Sequence, residues 1–141
     1  MKKTFLFSLI LFLGTFVFGQ SPIGTWKTID DETGKEKSYV EIFEKDGKLY
    51  GKVSKILTKG KENSKCDKCS GELKGKPILG MVVLNGLKKD GNEWTGGKII
   101  DPNSGKEYKA TVKLNGKDKL DVRGYVGISL VGRTQTWQKV K

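Results

Sequence analysis

Three turn signals, Asp46-Gly47, Asp90-Gly91-Asn92 and Asn115-Gly116, each fall between short runs of β-branched and aromatic residues. Such dipeptides supply the positive φ angles of tight hairpin turns, so each pair of flanking runs reads as two antiparallel strands. The runs are GTWKTI, KSYVEIFEKDGKLYGKVSKI, GMVVLNGLKKDGNEWTGGKIID, KEYKATVKLNGKDKLDVRGYV and RTQTWQKV. None carries the 3.6-residue apolar period of a helix. In the second run Val40 and Ile42 alternate with Tyr39, Glu41 and Phe43, which makes one face apolar. The chain is therefore predicted to be all-β, with about eight to ten short strands, and a meander of that kind removes its exposed edges by closing into an antiparallel up-and-down barrel.

The N-terminal residues 1–19 form a separate unit. Lys2 and Lys3 precede an apolar run from Phe5 to Phe18 and small or neutral residues at Val17 and Gly19, the layout of a secretory signal peptide cleaved after Gly19. The run is shorter than the ~20 residues needed to span a bilayer. Residues 20–141 are then expected to form one β-barrel domain, exported to the periplasm or the extracellular space, with no transmembrane segment after cleavage. The formal charge of +11 falls to +9 with the leader removed. Its excess lysines are scattered, which suits solubility and weak attraction to anionic envelope glycans or lipids better than a nucleic-acid site.

Chemistry-bearing residues are few. The chain has no histidine, which removes the usual general base and the commonest zinc ligand. Asp30, Asp31 and Glu32 are adjacent, Glu93 and Glu107 lie on predicted strands, and nothing specifies a carboxylate pair across a cleft. The echo of DDETGKE (Asp30 to Glu36) in DPNSGKE (Asp101 to Glu107) reads as one turn solution used twice. No catalytic residue, metal site or cofactor is expected.

The long irregular segment Thr58 to Pro77 is too polar to pack and reads as a lid or loop. It carries Cys66-Asp67-Lys68-Cys69. In an exported protein the first reading is a structural disulfide. A redox-active pair is the second, since Lys65 and Lys68 would lower a thiol pKa, although the βαβ setting of thioredoxin-like enzymes is missing. Half of a metal site is the third, and it would need carboxylates or another chain.

The aromatic residues Trp26, Tyr39, Phe43, Tyr50, Trp94, Tyr108, Tyr125 and Trp137 recur on the predicted strands. Together they are candidates to line a cavity, because a barrel of about eight strands either fills its interior or holds one small ligand. Arg123 and Arg133 are the two arginines of the chain and bracket RGYVGISLVGR, a near-palindrome about Ile128. A hairpin centred there sets the two arginines face to face, so Arg123 is expected to pair elsewhere, with Asp101, Glu107 or an anionic head group.

GTW, CDKC, GGKIIDPNSGKEY and RGYVGISLVGRTQTW together resemble the bacterial domain of unknown function 2147 family, over essentially the whole chain after residue 19. The resemblance implies an exported, lipocalin- or calycin-like barrel. In lipocalins an arginine of the last strand covers the tryptophan of a Gly-x-Trp on the first, and Gly24-Thr25-Trp26 and Arg133 resemble those partners. The Thr-Asp-Tyr motif of lipocalins is absent. The expected function is binding of a small hydrophobic or amphipathic molecule inside the barrel. The alternatives are a surface binder of an anionic envelope component and a thiol redox enzyme using Cys66 and Cys69.

Overall fold

The computed structural model describes residues 20–127 and 131–141. The expected signal peptide and Ile128, the expected centre of the last hairpin, lie outside the described residues. Eight strands follow one another in sequence: β1 (Gly24–Ile29), β2 (Glu36–Lys45), β3 (Lys48–Ile56), β4 (Val82–Asp90), β5 (Glu93–Ile100), β6 (Glu107–Asn115), β7 (Lys119–Tyr125) and β8 (Gly132–Lys139). Each pairs antiparallel with its neighbour, and β8 pairs with β1 to close the barrel.

The β2–β3 turn shows why the sequence folds this way locally. Asp46 and Gly47 both have positive φ, 53° and 76°, the combination that matches the twist of the flanking strands. Lys45 then faces Lys48, and the register runs on to Ile42 opposite Gly51. Val40, Ile42, Leu49 and Val53 point inward and are buried.

The barrel has two unlike ends. At the closed end Trp26, Ile42, Leu49, Leu87 and Leu120 join one continuous core. The Trp26 indole N–H donates to the Pro22 carbonyl at 2.8 Å, so its polar atom is satisfied although the residue is fully buried. The β1–β8 register, Trp26 with Lys139 and Lys27 with Gln138, lies at this end. The opposite end carries the β1–β2, β3–β4, β5–β6 and β7–β8 connections, as an up-and-down topology requires.

Two expectations about the arginines are corrected. Lys139, not Arg133, holds the cation over Trp26, with Nζ 5.8 Å from the ring centroid. Arg133 lies six residues earlier on β8, about 20 Å away at strand rise, at the open end. The β7–β8 hairpin is also shifted by one residue from symmetry about Ile128: Arg123 faces Thr134, and Gly124 faces Arg133. A one-residue shift changes faces, so Arg123 turns outward while Arg133 borders the barrel mouth.

Candidate functional site

A cavity of about 810 Å³ occupies the open half of the barrel. Val40, Val53, Val83, Ile99, Val122 and Trp137 form its apolar wall. Alternation puts these residues inside, and one position lacking a side chain enlarges the space: Gly124 on β7 faces Tyr108 and Ile99. Thr28, Ser38, Tyr108 and Gln135 add polar groups to the wall. The Thr28 and Ser38 hydroxyls bond each other at 2.7 Å.

A polar chain climbs from the wall to the rim. The Trp137 indole N–H donates to Gln135 Oε1 at 3.3 Å. Gln135 Nε2 donates to Asp31 Oδ2 at 2.9 Å, and the same oxygen takes Arg133 Nη2 at 2.9 Å. Asp31 thus ties the β1–β2 loop to β8 on the side where the two strands have separated. Beside it, the Asp30 carboxyl accepts the Thr33 and Glu32 N–H groups at 3.0 and 2.9 Å. These bonds hold it below the ordinary aspartate value. Asp101 in the β5–β6 turn repeats the arrangement, accepting the Asn103 N–H at 2.9 Å, and Gly105 donates to its carbonyl as Gly34 does to that of Asp30.

The β3–β4 connection folds across this end. Cys66 and Cys69 form a disulfide. Cys66 N–H donates to the Lys76 carbonyl, Gly75 N–H to that of Cys66, and Ile78 N–H to that of Ser64, which turns the segment back on itself. The expectation that the stretch Thr58 to Pro77 is too polar to pack is corrected: both cysteines are buried and Leu73 packs on the core; Ile78, just beyond it, reaches the cavity. The disulfide loop rests on the β5–β6 turn, with Cys66 Sγ 3.2 Å from the Pro102 carbonyl oxygen. A Cβ added to Gly105 would overlap the Lys68 carbonyl. Sulfurs buried and bonded to each other are shielded from an attacking thiol and present no thiolate to a metal.

The structure distributes the sequence-derived candidates. Trp137 and Arg133 lie on the cavity wall and rim, and Trp26 is sealed in the closed-end core. Tyr39, Phe43 and Tyr50 stand on the outer face of β2 and β3, where the Phe43 and Tyr50 rings stack at 5.8 Å. Lys52 and Lys55 lie over Phe43 and Tyr39. Trp94 borders a recess of about 180 Å³ at the closed end, under Lys89. Arg123 and Tyr125 alternate outward from Val122 and Gly124; Arg123 Nη1 donates to Thr134 Oγ1 at 3.4 Å. Of its expected partners, Glu107 is paired with Lys98 at 3.0 Å.

Asp31, Lys37 and Gln135 are site residues that the sequence reading did not select, whereas Tyr108, one of the grouped aromatics, lies on the cavity wall. Asp31 sat in an acidic triplet that reads as turn chemistry.

Among the described residues no helix is long and apolar enough to cross a membrane. No curated protein matches the chain. A solved structure described as "Protein HP1028 from the human pathogen Helicobacter pylori belongs to the lipocalin family" is similar to it, with a TM-score of 0.76 and 26% identity, over 86% of this chain and 84% of that one. A closed eight-stranded barrel fold is thus shared with a lipocalin-family protein, and the family model described as "Uncharacterized protein conserved in bacteria (DUF2147)" matches residues 24–139, so the chain belongs to that family.

Proposed function

We propose that this protein is exported and carries a small apolar or amphipathic molecule in its barrel. The observation that supports this reading is the cavity of about 810 Å³, which falls within the ~300 to 1,000 Å³ typical of small-molecule sites. Its wall is aliphatic and aromatic, and burial there contributes ~25 cal/mol per Å² of apolar ligand surface before ordering costs. Lys37 and Arg133 stand at the mouth, where water still reaches a polar or anionic head group. The buried disulfide suits an oxidising compartment.

Native and denaturing mass spectrometry of protein purified from its own exported fraction tests the proposal. The expected result is a reproducible extra mass lost on denaturation, together with binding of an apolar fluorescent probe by the emptied protein. No extra mass and no probe binding would overturn it.

A further inference from the structure

The cavity wall is chemically lopsided. Every residue that β3, β4 and β5 give it, Val53, Ile56, Val83, Ile99 and Ile100, is aliphatic. The neighbouring strands β8, β1 and β2 instead set polar groups among Ile29 and Val40: the Thr28 and Ser38 hydroxyls, the Gln135 amide and the Trp137 indole N–H. β4 and β5 stand across the barrel from β8 and β1, so the two kinds of wall face each other. From Trp137 to Arg133 the polar side runs about 13 Å along β8 at strand rise. Backbone adds to it, because the β1–β8 register ends at Lys27 with Gln138 and leaves β8 an unpaired edge from Gly132 to Trp137.

The hydrogen-bonding capacity of this side is only partly used. Gln135 Nε2 carries two N–H groups, and the bond to Asp31 takes one. The Thr28 and Ser38 hydroxyls bond each other at 2.7 Å, and each oxygen keeps lone pairs for a further bond. A plain aliphatic chain pressed against these groups would strip their water and return no bond, which costs affinity. A ligand oxygen facing them restores it. Thr28, Ser38, Gln135 and Trp137 are uncharged, so an ionised group laid against them would lack a counter-charge. We infer that the cavity takes a facial amphiphile, an apolar body whose uncharged oxygens lie along one face rather than at one end; the inference rests on the ligand-carrying reading above and narrows it.

Calorimetric titration of the emptied chain from Gln20 to Lys141, which contains every strand of the closed barrel, tests it. The probes are cholate and lithocholate, which share a ring system and a carboxylate and differ in two further hydroxyls that cholate carries on the same face. N-phenylnaphthylamine serves as the probe without oxygen. The expected result is cholate binding about fivefold or more tighter than lithocholate, the scale of one net hydrogen bond. Thr28→Val with Ser38→Ala removes both partners of the hydroxyl pair together, a change close to neutral for stability; it should reverse the steroid preference and tighten N-phenylnaphthylamine. Equal binding of the two steroids by the wild type, or tighter lithocholate, would overturn the inference by showing that the wall hydroxyls serve only each other. So would an unchanged preference in the variant, or exclusion of both steroids from a cavity that takes N-phenylnaphthylamine. Binding of none of the three probes removes the cavity reading and the inference with it.

Discussion

Gly105 lies against the Lys68 carbonyl so closely that the β5–β6 turn has no room for a side chain there. Its φ of +72° adds a second demand for glycine. Gly105→Ala is therefore expected to lift the disulfide loop from the turn and to destabilise the protein by about 1 to 3 kcal/mol. Urea unfolding monitored by tryptophan fluorescence measures the loss; an unchanged midpoint would show that the loop does not depend on this contact.

The disulfide closes a short loop, for which chain entropy predicts a contribution of about 2 kcal/mol. Cys66→Ser with Cys69→Ser should lower stability by that order while leaving the eight strands formed, as seen by circular dichroism. With Cys66 fully buried and Cys69 nearly so, the wild type should show no activity in an insulin-reduction assay. Turnover abolished by Cys66→Ser would contradict the structural role.

Trp26 and Arg133 should separate cleanly. Trp26→Ala removes a fully buried ring and is expected to cost about 3 to 5 kcal/mol. Lys139→Ala should cost under about 1 kcal/mol, the scale of an exposed cation–π contact. Arg133→Ala should leave the melting temperature close to wild type, because the arginine side chain in the Asp31 pair is two-thirds exposed, 67%. The same change should weaken a carboxylate-headed probe more than a neutral one of equal length. Loss of stability in Arg133→Ala matching that in Trp26→Ala would restore the arginine to barrel closure.

Gly124 gives a way to fill the cavity without altering the floor of the barrel. A Cβ there meets Tyr108 and Ile99 at ordinary contact distances of 3.4 Å and 3.5 Å. Gly124→Val should fold and lose probe affinity by about tenfold. Undiminished binding in fluorescence titration would place the ligand elsewhere.

The turn formed by Asp30 has a defined acid limit. The Thr33 and Glu32 N–H bonds lower its carboxyl pKa from the ordinary 3.8. A lowered folded-state value means that the bonds stabilise the turn above the ordinary value and are lost as pH falls through the folded one. The Thr33 and Glu32 amide resonances should therefore titrate together with a midpoint below 3.8. A midpoint at or above it would remove the assigned bonds.

The strand pattern was legible because the turn dipeptides and the Val40/Ile42 alternation are local signals. The same alternation already opposed Tyr39 and Phe43 to the buried valine and isoleucine, so their outward placement was present in the pattern; grouping aromatics by type obscured it. The partner of Trp26 was not legible. Whether Lys139 or Arg133 meets it depends on the register of the chain's first and last strands, which no local turn sets. Asp31 was hidden for a related reason, since its role arises from β8, more than a hundred residues away.

The closed end gathers the first described residues and the C-terminus. Gln20 and Ser21 lie beside the β2–β3 turn, and Val140 N–H bonds the Thr25 carbonyl at 3.0 Å. Polypeptide joined after Lys141, or ahead of Gln20 in a chain that starts there, therefore departs from the pole opposite the entrance. A purification tag, a fused partner or a tether to a sensor surface at either of these points would leave the opening unobstructed, and a protein so immobilised would present that opening outward to whatever flows past.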